Sequence, residues 1–266
     1  MDSIVAIIVT YNPDLYDLRK NLSRYINACN KIIIVDNSET NLPENTFSDN
    51  RILLINMEKN IGIAGAQNIG ISYVREHLLG DYLIFFDQDS SLDQFQVRQL
   101  FRDFQKLKDV GILAPGNSKD KGCFSQREEV ISSGSMININ SFEEVGTFKE
   151  ELFIDFVDYE FCWRLRQHGR HVYVDNKVNL LHQTGKINRR VGKIVSSPFR
   201  NYYVYRNLIS IMKTENYGLR FNLKWFYRMF KRVIFELVFC PNRKKRFGFI
   251  CAGVKDGIKG KLGKLL

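Results

Sequence analysis

The stretch Tyr82-Leu83-Ile84-Phe85-Phe86-Asp87-Gln88-Asp89-Ser90 joins a short apolar run to two carboxylates spaced one residue apart. The run is too short for a buried helix and predicts a strand that is covered on both faces. In an open parallel sheet, ligands bind outside the carboxyl ends of the strands, where Asp87 and Asp89 lie. Such a pair can hold a hard divalent cation together with substrate phosphates. The alternative is a loop that caps the next helix.

Other apolar runs repeat this pattern along the first half of the chain. Residues 4–9 and 31–35 are aliphatic, and each run ends in a polar turn. An apolar residue recurs at helical spacing between them, and a third short run covers 52–55. This alternation of strands and helices predicts an α/β fold with a mainly parallel central sheet flanked by helices.

Residues 60–70 are rich in glycine and alanine at the start of a predicted helix. Small residues let the backbone approach a ligand or a neighbouring strand closely. The positions of Gly62, Gly65 and Gly70 match neither the G-x-G-x-x-G dinucleotide motif nor a P-loop. Ligand contact and tight helix packing therefore both remain open for this segment.

A second acidic cluster lies within residues 152–164, among large apolar side chains. Asp158 fits the N-cap of the helix that follows, but a cap needs only one acid. Burying further carboxylates there is costly without partners, and Arg164 lies one helical turn after Glu160 and can pair with it. Asp155 and Asp158 are then left as candidates for chemistry.

Composition bounds the class of protein. The 266 residues are 44% hydrophobic, which suffices for one large domain or a domain with an appendage. The sequence has no apolar run of membrane-spanning length, and we expect no secretory signal. The five cysteines are scattered without paired spacing. A disulfide framework or zinc site is not expected, and a reducing cytoplasm fits best.

The formal charge of +10 is concentrated near the C-terminus, where only three acidic residues follow Lys186. This asymmetry indicates an anionic partner: nucleic acid, anionic lipid or a phosphorylated substrate. Apolar and aromatic residues beyond Gly218 follow helical spacing, and the basic cluster 243–246 comes after them. A basic amphipathic helix of this kind fits a membrane surface, and packing on the catalytic domain is the alternative.

Six motifs occur together in one order. They are Val9-Thr10-Tyr11-Asn12-Pro13, Val35-Asp36-Asn37-Ser38, Asn60-Ile61-Gly62-Ile63-Ala64 with Asn68-Ile69-Gly70, Phe86-Asp87-Gln88-Asp89, Ser133-Gly134-Ser135, and Asp155-Phe156-Val157-Asp158-Tyr159-Glu160 with Trp163-Arg164. Over residues 3–207 the set resembles family 2 glycosyltransferases of the GT-A fold, and most of all the bacterial rhamnosyltransferases of surface-polysaccharide assembly. The resemblance implies a GT-A nucleotide-diphospho-sugar transferase fold with a helical C-terminal extension.

The resemblance also implies roles for individual residues. Asp158 is similar to the general base that deprotonates the acceptor hydroxyl, in a single displacement with inversion. A cofactor, Mg²⁺ or Mn²⁺, would be held by Asp87, Asp89 and His182. Acceptor contacts would come from Asp155, Ser133, Gly134 and Ser135. The nucleotide-sugar site would comprise Thr10, Tyr11, Asn12, Asp36 (toward the base), Asn60, Gly62, Asn68, Asp87, Arg200 and Arg206.

These implications combine into one hypothesis. Residues 1–215 form the catalytic domain and 216–266 a basic helical tail that contacts a membrane surface. The enzyme transfers L-rhamnose from dTDP-L-rhamnose to a polyprenyl-diphosphate-linked glycan on the cytoplasmic face of the inner membrane, in O-antigen or capsule synthesis. Alternatives are another UDP- or dTDP-sugar, a nucleotidyltransferase, or a basic nucleic-acid-binding protein. No nucleic-acid-binding motif accompanies the charge, so we expect no nucleic-acid partner.

Overall fold

The computed structural model describes residues 3–116, 122–182, 187–188 and 193–265. Contacts divide the chain into two compact units. The sheet unit comprises Met1–Glu150 and Asp158–Gln183, and the helical unit comprises Glu151–Val157 and Thr184–Leu266. The short segment before Asp158 and the helix that begins at Arg200 thus belong with the C-terminal region. The predicted boundary at residue 215 lies further along the chain.

The elements of the sheet unit follow the predicted alternation. They are β1 (Ile4–Thr10), α1 (Leu15–Tyr25), β2 (Lys31–Asp36), β3 (Ile52–Asn56), α2 (Gly62–His77), β4 (Tyr82–Asp87), β5 (Ser90–Ser91), α3 (Gln94–Lys106), β6 (Val110–Pro115), β7 (Phe124–Gln126), β8 (Met136–Asn138), α4 (Asn140–Val145), α5 (Val157–Gln167), β9 (His171–Asp175) and β10 (Leu181–His182). Short 3₁₀ turns cover Ile26–Ala28, Glu44–Thr46 and Glu150–Leu152. The helical unit contains β11 (Ile187–Asn188), β12 (Lys193–Ile194), α6 (Arg200–Thr214), α7 (Leu219–Val238) and α8 (Arg243–Lys259).

The central sheet has the strand order β3-β2-β1-β4-β8-β6-β9-β7 in the described part of the chain. Strands β1 to β4 are mutually parallel, and β6 is parallel to β9. Strand β8 runs antiparallel to both β4 and β6, so these two strands share one direction. The prediction of a mainly parallel sheet flanked by helices is confirmed. The carboxyl ends of β1, β2, β4 and β6 consequently lie along one edge.

The core explains why these runs form central strands. All seven residues of β1 are buried, as are five of the six in β2. Each fully buried aliphatic side chain contributes about 1.5–3 kcal/mol relative to an exposed one. Helix α2 packs closely on β1 because Gly70 lacks a side chain: a Cβ there would lie 2.6 Å from Cγ2 of Ile7. Tight packing thus accounts for this glycine.

A buried ion pair anchors α5 within the sheet unit. The Glu160 side chain has no exposure, and its Oε1 lies 2.8 Å from Nε of Arg164 and 3.1 Å from Nζ of Lys149. Arg164 also donates to the carbonyls of Val145 and Thr147. The predicted Glu160–Arg164 pair is therefore confirmed. Burial raises the pKa of Glu160 against the opposing effect of the two cations.

In the helical unit, α6 packs on α8 through two glycines. A Cβ at Gly257 would lie 2.8 Å from the carbonyl oxygen of Arg206, and one at Gly253 would collide with the backbone of Tyr202. These glycines let the two helix backbones approach closely. Arg206 is fully buried there and donates to the backbone carbonyls of Leu152, at 2.8 Å, and Gly263.

The predicted basic cluster 243–246 does not lie entirely on the surface. Arg246 is 2% exposed, and its Nη1 lies 2.5 Å from Oε2 of Glu236. Glu236 also accepts from Nδ2 of Asn201 at 3.1 Å. The basic residues Arg243, Lys244 and Lys245 are exposed. Three of the four cations are thus available to an anionic partner, while the fourth ties α8 to α7.

The outward face of α7 is apolar and exposed. It is formed by Leu219, Leu223, Phe226, Tyr227, Phe230, Ile234 and Val238. The spacing places these residues along one side of the helix. Trp225, on the opposite side, is buried against Phe156 with ring centroids 5.3 Å apart. None of the helices in the described ranges has the length and hydropathy that a membrane-spanning segment requires.

Two acidic partners of arginine on the sheet unit, Glu160 and Glu144, provide a stability test. We expect Glu160→Gln to lower the free energy of unfolding by about 3 kcal/mol, because it removes the fully buried carboxylate that pairs with Arg164 and Lys149, two largely covered cations. Glu144 pairs with Arg170 near the surface, with both side chains about one third exposed. Glu144→Gln should cost at most about 1 kcal/mol. Chemical denaturation of both variants measures the difference, and equal losses would contradict the buried-pair account.

Candidate active site

Asp36 lies at the carboxyl end of β2, directly opposite Thr10 of β1 in the parallel register. Its Oδ1 accepts hydrogen bonds from Oγ1 of Thr10 at 2.7 Å and from Oγ of Ser38 at 2.8 Å. The residue is only 1% exposed. Two neutral hydroxyl donors therefore fix one carboxylate oxygen at the edge of the sheet.

The second oxygen of Asp36, Oδ2, is buried and has no hydrogen-bond partner among the described residues. A buried acceptor without a donor is costly, and such groups are normally satisfied by protein, water or a ligand. Oδ2 of Asp36 is thus an acceptor for which the described residues supply no donor. The sequence could not predict that this oxygen of Asp36 lacks a donor, because that depends on residues distant in the chain.

The loop after β4 is joined to the end of β1. The backbone N–H of Tyr11 donates to Oε1 of Gln88 at 2.7 Å, and Nδ2 of Asn21 donates to the carbonyl of Gln88 at 3.1 Å. The register pairs Val9 with Asp87. Asp87, Gln88 and Asp89 are all partly buried. The structure therefore brings the two predicted cation ligands to the same edge as Asp36.

The helix-capping alternative for the carboxylate pair is wrong. The N-cap of α3 is Asp93, whose Oδ1 accepts from the backbone N–H of Phe95 and of Gln96, each at 2.9 Å. Gln96 returns a bond to the N–H of Asp93 and completes a capping box. Asp87 and Asp89 are therefore not needed to cap α3.

The donor set fits a hard divalent cation. Two carboxylates stand at the strand end, and such cations commonly complete their coordination with substrate phosphates and water. The described residues contain no group of three His, Cys, Asp or Glu side chains that could hold a metal by itself. The backbone of His182 pairs with Ser90 beside this loop. The His182 side chain, the predicted third ligand, lies outside the described part of the structure.

The glycine-rich segment is tied to the end of β2 through Asn37. Its Nδ2 donates to Oδ1 of Asn60 and to the carbonyl of Gly62, both at 3.2 Å, and its Oδ1 accepts from the N–H of Ile61 at 2.8 Å. Gly62 has a φ of 85°, a conformation that favours glycine. The Asn37 side chain thus holds Asn60 and Gly62, two of the predicted nucleotide-binding residues, beside Asp36. Asn37 itself is not among the predicted site residues.

Asn68 supports the scaffold. Its Oδ1 accepts from the N–H of Phe148 at 3.0 Å, and its Nδ2 donates to the carbonyl of Phe148 and to Oε1 of Glu150 at 2.8 and 2.9 Å. The residue is 5% exposed. Its amide is thus engaged by protein groups that hold residues 148–150 against α2.

The segment Ser133–Ser135 lies against the end of β4. Oγ of Ser133 accepts from the backbone N–H of Asp87 at 3.0 Å, and Gly134 donates to the carbonyl of Phe85. Gly134 has a φ of 77°, and a Cβ there would lie 2.7 Å from side-chain atoms of Pro115 and Leu180. Glycine is therefore required at this close turn, and the predicted acceptor segment lies next to the cation ligands.

Asp158 is the second residue of α5 rather than its N-cap, and it is partly buried. One turn later, the Cys162 thiol contacts the carbonyl of Val130 at 3.7 Å. Burial raises the pKa of Cys162 to about 12, so this thiol is neutral at physiological pH. Segment 130–135 thus joins the β4 edge to the helix that carries the predicted base.

The remaining predicted residues lie in the helical unit. Nη2 of Arg200 lies 2.6 Å from Oδ1 of Asp155, so the predicted phosphate contact and the predicted acceptor contact form an ion pair. Arg206 requires a correction. Its guanidinium is fully buried and donates to backbone carbonyls, which leaves it inaccessible to a diphosphate. It is a structural residue that, with Asn207, holds residues 152–155.

A family model described as glycosyl transferase family 2 matches residues 5–166, well over half of the chain. The chain belongs to glycosyl transferase family 2. The predicted family is thereby confirmed, and the protein is a glycosyltransferase. The family match favours glycosyl transfer over the two alternatives, nucleotidyl transfer and nucleic-acid binding.

Two curated relatives extend this assignment. The glycosyltransferase is 28% identical to dTDP-rhamnosyl transferase RfbF of Shigella flexneri, over 98% of this chain and 97% of that protein. It is 23% identical to the low-salt glycan biosynthesis hexosyltransferase Agl10 of Haloferax volcanii, over 68% and 67% of the respective chains. The likeness to RfbF thus includes the C-terminal helices, which lie outside the family match.

Solved structures show the same fold. GalNAc-T7 with UDP, GalNAc and Mn²⁺ matches with a TM-score of 0.65 at 14% identity, over 97% of this chain and 56% of that one. TarS 1-349 of S. aureus in complex with UDP-GlcNAc gives a TM-score of 0.62 at 12% identity, over 98% and 82%. The predicted GT-A fold is confirmed for the glycosyltransferase.

The site residues predicted from the sequence of this glycosyltransferase do not include three residues that organise the carboxyl edge of the sheet. Ser38 links Asp36 to the backbone N–H of Asn12, which it accepts at 2.7 Å. Asn37 positions the glycine-rich turn, and Gln88 joins the first and fourth strands. Each is polar and directly follows a buried strand, which is the signal that could have identified it.

Proposed function

We propose that this glycosyltransferase is a metal-dependent, inverting enzyme that transfers L-rhamnose from dTDP-L-rhamnose to a lipid-linked oligosaccharide in bacterial surface-polysaccharide synthesis, O-antigen or capsule. The observation that carries the proposal is the carboxyl edge of β1, β2 and β4. It combines a buried carboxylate that has a spare acceptor with two partly buried carboxylates. A nucleoside diphosphate sugar has matching parts in the same order: an N–H on the base, then a charged diphosphate.

Asp36 is proposed to bind the pyrimidine base. Thymine and uracil carry an imide N–H, a donor that Oδ2 of Asp36 can accept. The Thr10 and Ser38 hydroxyls already engage Oδ1 and hold the carboxylate in place. Pre-organised groups of this kind lower the ordering cost of binding.

Asp87 and Asp89 are proposed to hold Mg²⁺ or Mn²⁺ against the diphosphate. When bound, the cation neutralises charge that develops on the departing nucleoside diphosphate. The link between Asp87 and Ser133 keeps the strand end fixed to segment 133–135. The solved GalNAc-T7 complex contains Mn²⁺, which is consistent with a divalent ion in this fold.

Asp158 is proposed as the general base. Its carboxylate takes the proton from the acceptor hydroxyl as that oxygen attacks the anomeric carbon. The transition state resembles an oxocarbenium ion, as in glycoside cleavage. One base acting opposite the leaving group gives inversion. The buried Glu160–Arg164 pair fixes the helix that carries Asp158 and is not itself a proton acceptor in this scheme.

The choice of sugar rests on the near full-length likeness to RfbF, a dTDP-rhamnosyl transferase. Another UDP- or dTDP-sugar is the alternative within the family, because the Agl10 relative is a hexosyltransferase. The proposed acceptor is a polyprenyl-diphosphate-linked glycan at the cytoplasmic surface of the inner membrane. The exposed apolar face of α7 supports this location.

The α7 face is proposed to contact the membrane surface. Its apolar residues are bordered by cations of the same helix, including Arg220, Arg228 and Lys231, and Arg243–Lys245 follow on α8. An apolar stripe flanked by basic residues fits the interface of an anionic leaflet. Each basic residue near such a leaflet contributes about 1 kcal/mol.

The base assignment predicts a selective loss of transfer. Asp158→Asn removes the proton acceptor but keeps the size of the side chain, so we expect a fall in transfer rate of at least about 100-fold. Folding and dTDP affinity should change little. The assay is release of dTDP from dTDP-L-rhamnose in the presence of acceptor and Mg²⁺, with thermal unfolding as the control. Retained transfer in this variant would remove Asp158 as the base.

The membrane contact predicts a selective loss of vesicle binding. The double variant Phe226→Ser with Phe230→Ser should lower binding to phosphatidylglycerol vesicles more than tenfold, since each phenylalanine contributes about 1.5–3 kcal/mol when buried. High salt should weaken the wild-type interaction as well. Phe95 of α3 is also exposed, and Phe95→Ser is the matched control. Equal binding by all three proteins in cosedimentation would contradict the assignment.

A further inference from the structure

A small cavity with a mostly apolar lining lies in the sheet unit, next to segment 133–135. Its volume is about 300 Å³. The lining comes from the end of β6, from the segment before β8 and from the loop after β9. The residues that form its wall are Ala114, Pro115, Gly116, Val130, Ile131, Ser133 and Leu180. A volume at the low end for small-molecule sites suits one sugar ring rather than a whole nucleotide.

Two contacts connect the wall of this cavity to the proposed diphosphate clamp and to the helix that carries the proposed base. At one end, the Ser133 hydroxyl accepts from the backbone N–H of Asp87 at 3.0 Å. At the other end, the carbonyl of Val130 accepts from the thiol of Cys162, one helical turn after Asp158. A sugar that is transferred from a diphosphate to an acceptor must lie between these two groups. The cavity therefore lies where the donor sugar is expected.

The polar groups of the wall are largely engaged with protein partners. The carbonyl of Ile131 accepts from Oγ of Ser135 at 2.6 Å, and the N–H of Gly116 donates to the carbonyl of Val178 at 2.8 Å. The Val130 carbonyl accepts from Cys162, and Oγ of Ser133 accepts from Asp87. A sugar hydroxyl directed at the side chains of Pro115, Ile131 and Leu180 would meet methyl and methylene groups and lose its hydrogen bonds to water.

The shape of the wall depends on Gly134. Its φ of 77° and the close approach of Pro115 and Leu180 leave no room for a side chain. The aliphatic side chains of Pro115 and Leu180 can therefore line the cavity without an intervening polar residue. Ile131 is 49% exposed, so one wall of the cavity opens toward solvent and admits a ligand.

We propose that this apolar cavity receives the C6 methyl group of a 6-deoxyhexose donor and thereby selects 6-deoxy sugars over their 6-hydroxy counterparts. The inference rests on the proposed function, since it assumes that the donor sugar lies between Asp87 and Asp158. A methyl group fills apolar space favourably, whereas a hydroxyl there is left unpaired. Discrimination against an added hydroxyl in an apolar pocket reaches about 100-fold. Ile131 is then a specificity-determining residue.

The test compares two donors that differ at one atom. dTDP-L-mannose carries a C6 hydroxyl that dTDP-L-rhamnose lacks. We measure dTDP release from each donor with Mg²⁺ and derive kcat/KM. The wild-type protein should favour dTDP-L-rhamnose by about 10- to 100-fold. Ile131→Asn supplies an amide partner for the hydroxyl and should reduce this preference by about tenfold.

Three controls separate specificity from folding. Ile131→Val keeps an apolar wall and should retain the wild-type preference. Ile258 of α8 is 59% exposed, and Ile258→Asn makes the same chemical change at an exposed position that does not line the cavity. The affinity of each variant for dTDP alone should match that of the wild type, because the cavity contacts the sugar and not the nucleotide.

The outcomes distinguish this inference from the proposed function. Release of dTDP from both donors with equal kcat/KM, or an unchanged ratio in Ile131→Asn, overturns the cavity assignment and leaves the proposed function standing. Preference for an N-acetylated donor such as UDP-GlcNAc also overturns it, since the cavity would then serve another group. Failure to turn over any nucleotide sugar overturns both.

Discussion

The alignment of three parallel strands is the constraint on which the proposed site depends. Because β1 pairs with β2 and with β4 in parallel register, Thr10 lies opposite Asp36 and Val9 lies opposite Asp87. A shift of one residue would turn these side chains to the other face of the sheet. The buried aliphatic residues of β1 and β2 oppose such a shift, because each side chain would have to give up the packing it makes with its present neighbours. The core thus determines where the carboxylates lie.

A second layer of buried polar contacts fixes the segments around this edge. The Asn68 side chain forms hydrogen bonds with the backbone N–H and the carbonyl of Phe148. Arg164 donates to the carbonyls of Val145 and Thr147 and also pairs with Glu160. Residues 145–150 are thereby held between α2 and α5. These interactions are costly to break, because each removal leaves a buried polar group without its partner. They provide the rigidity that a site for two substrates requires.

Much of this organisation could be predicted from the sequence. Short aliphatic runs that end in polar residues predict the strands and the carboxyl edge of the sheet. Burial on both faces and the positions of the strand ends both follow from this pattern alone. Roles that depend on distant partners could not be predicted. Arg206 and Arg246 have the charge of surface residues, yet they are buried because Leu152, Gly263 and Glu236 satisfy them. Asp93, rather than Asp87 or Asp89, caps α3 because the helix begins at Gln94 and the cap is the residue directly before it.

The central claim is that Asp87 and its neighbours at the strand edge bind a nucleoside diphosphate through a divalent cation. Calorimetric titration of dTDP, with and without Mg²⁺, tests it most directly in the wild type and in Asp87→Asn. We expect Mg²⁺ to tighten dTDP binding by about tenfold or more in the wild type, which corresponds to about 1.4 kcal/mol. The variant should lose most of this gain. Binding of dTDP that is equally tight without the cation, or a gain that persists in Asp87→Asn, would contradict the account.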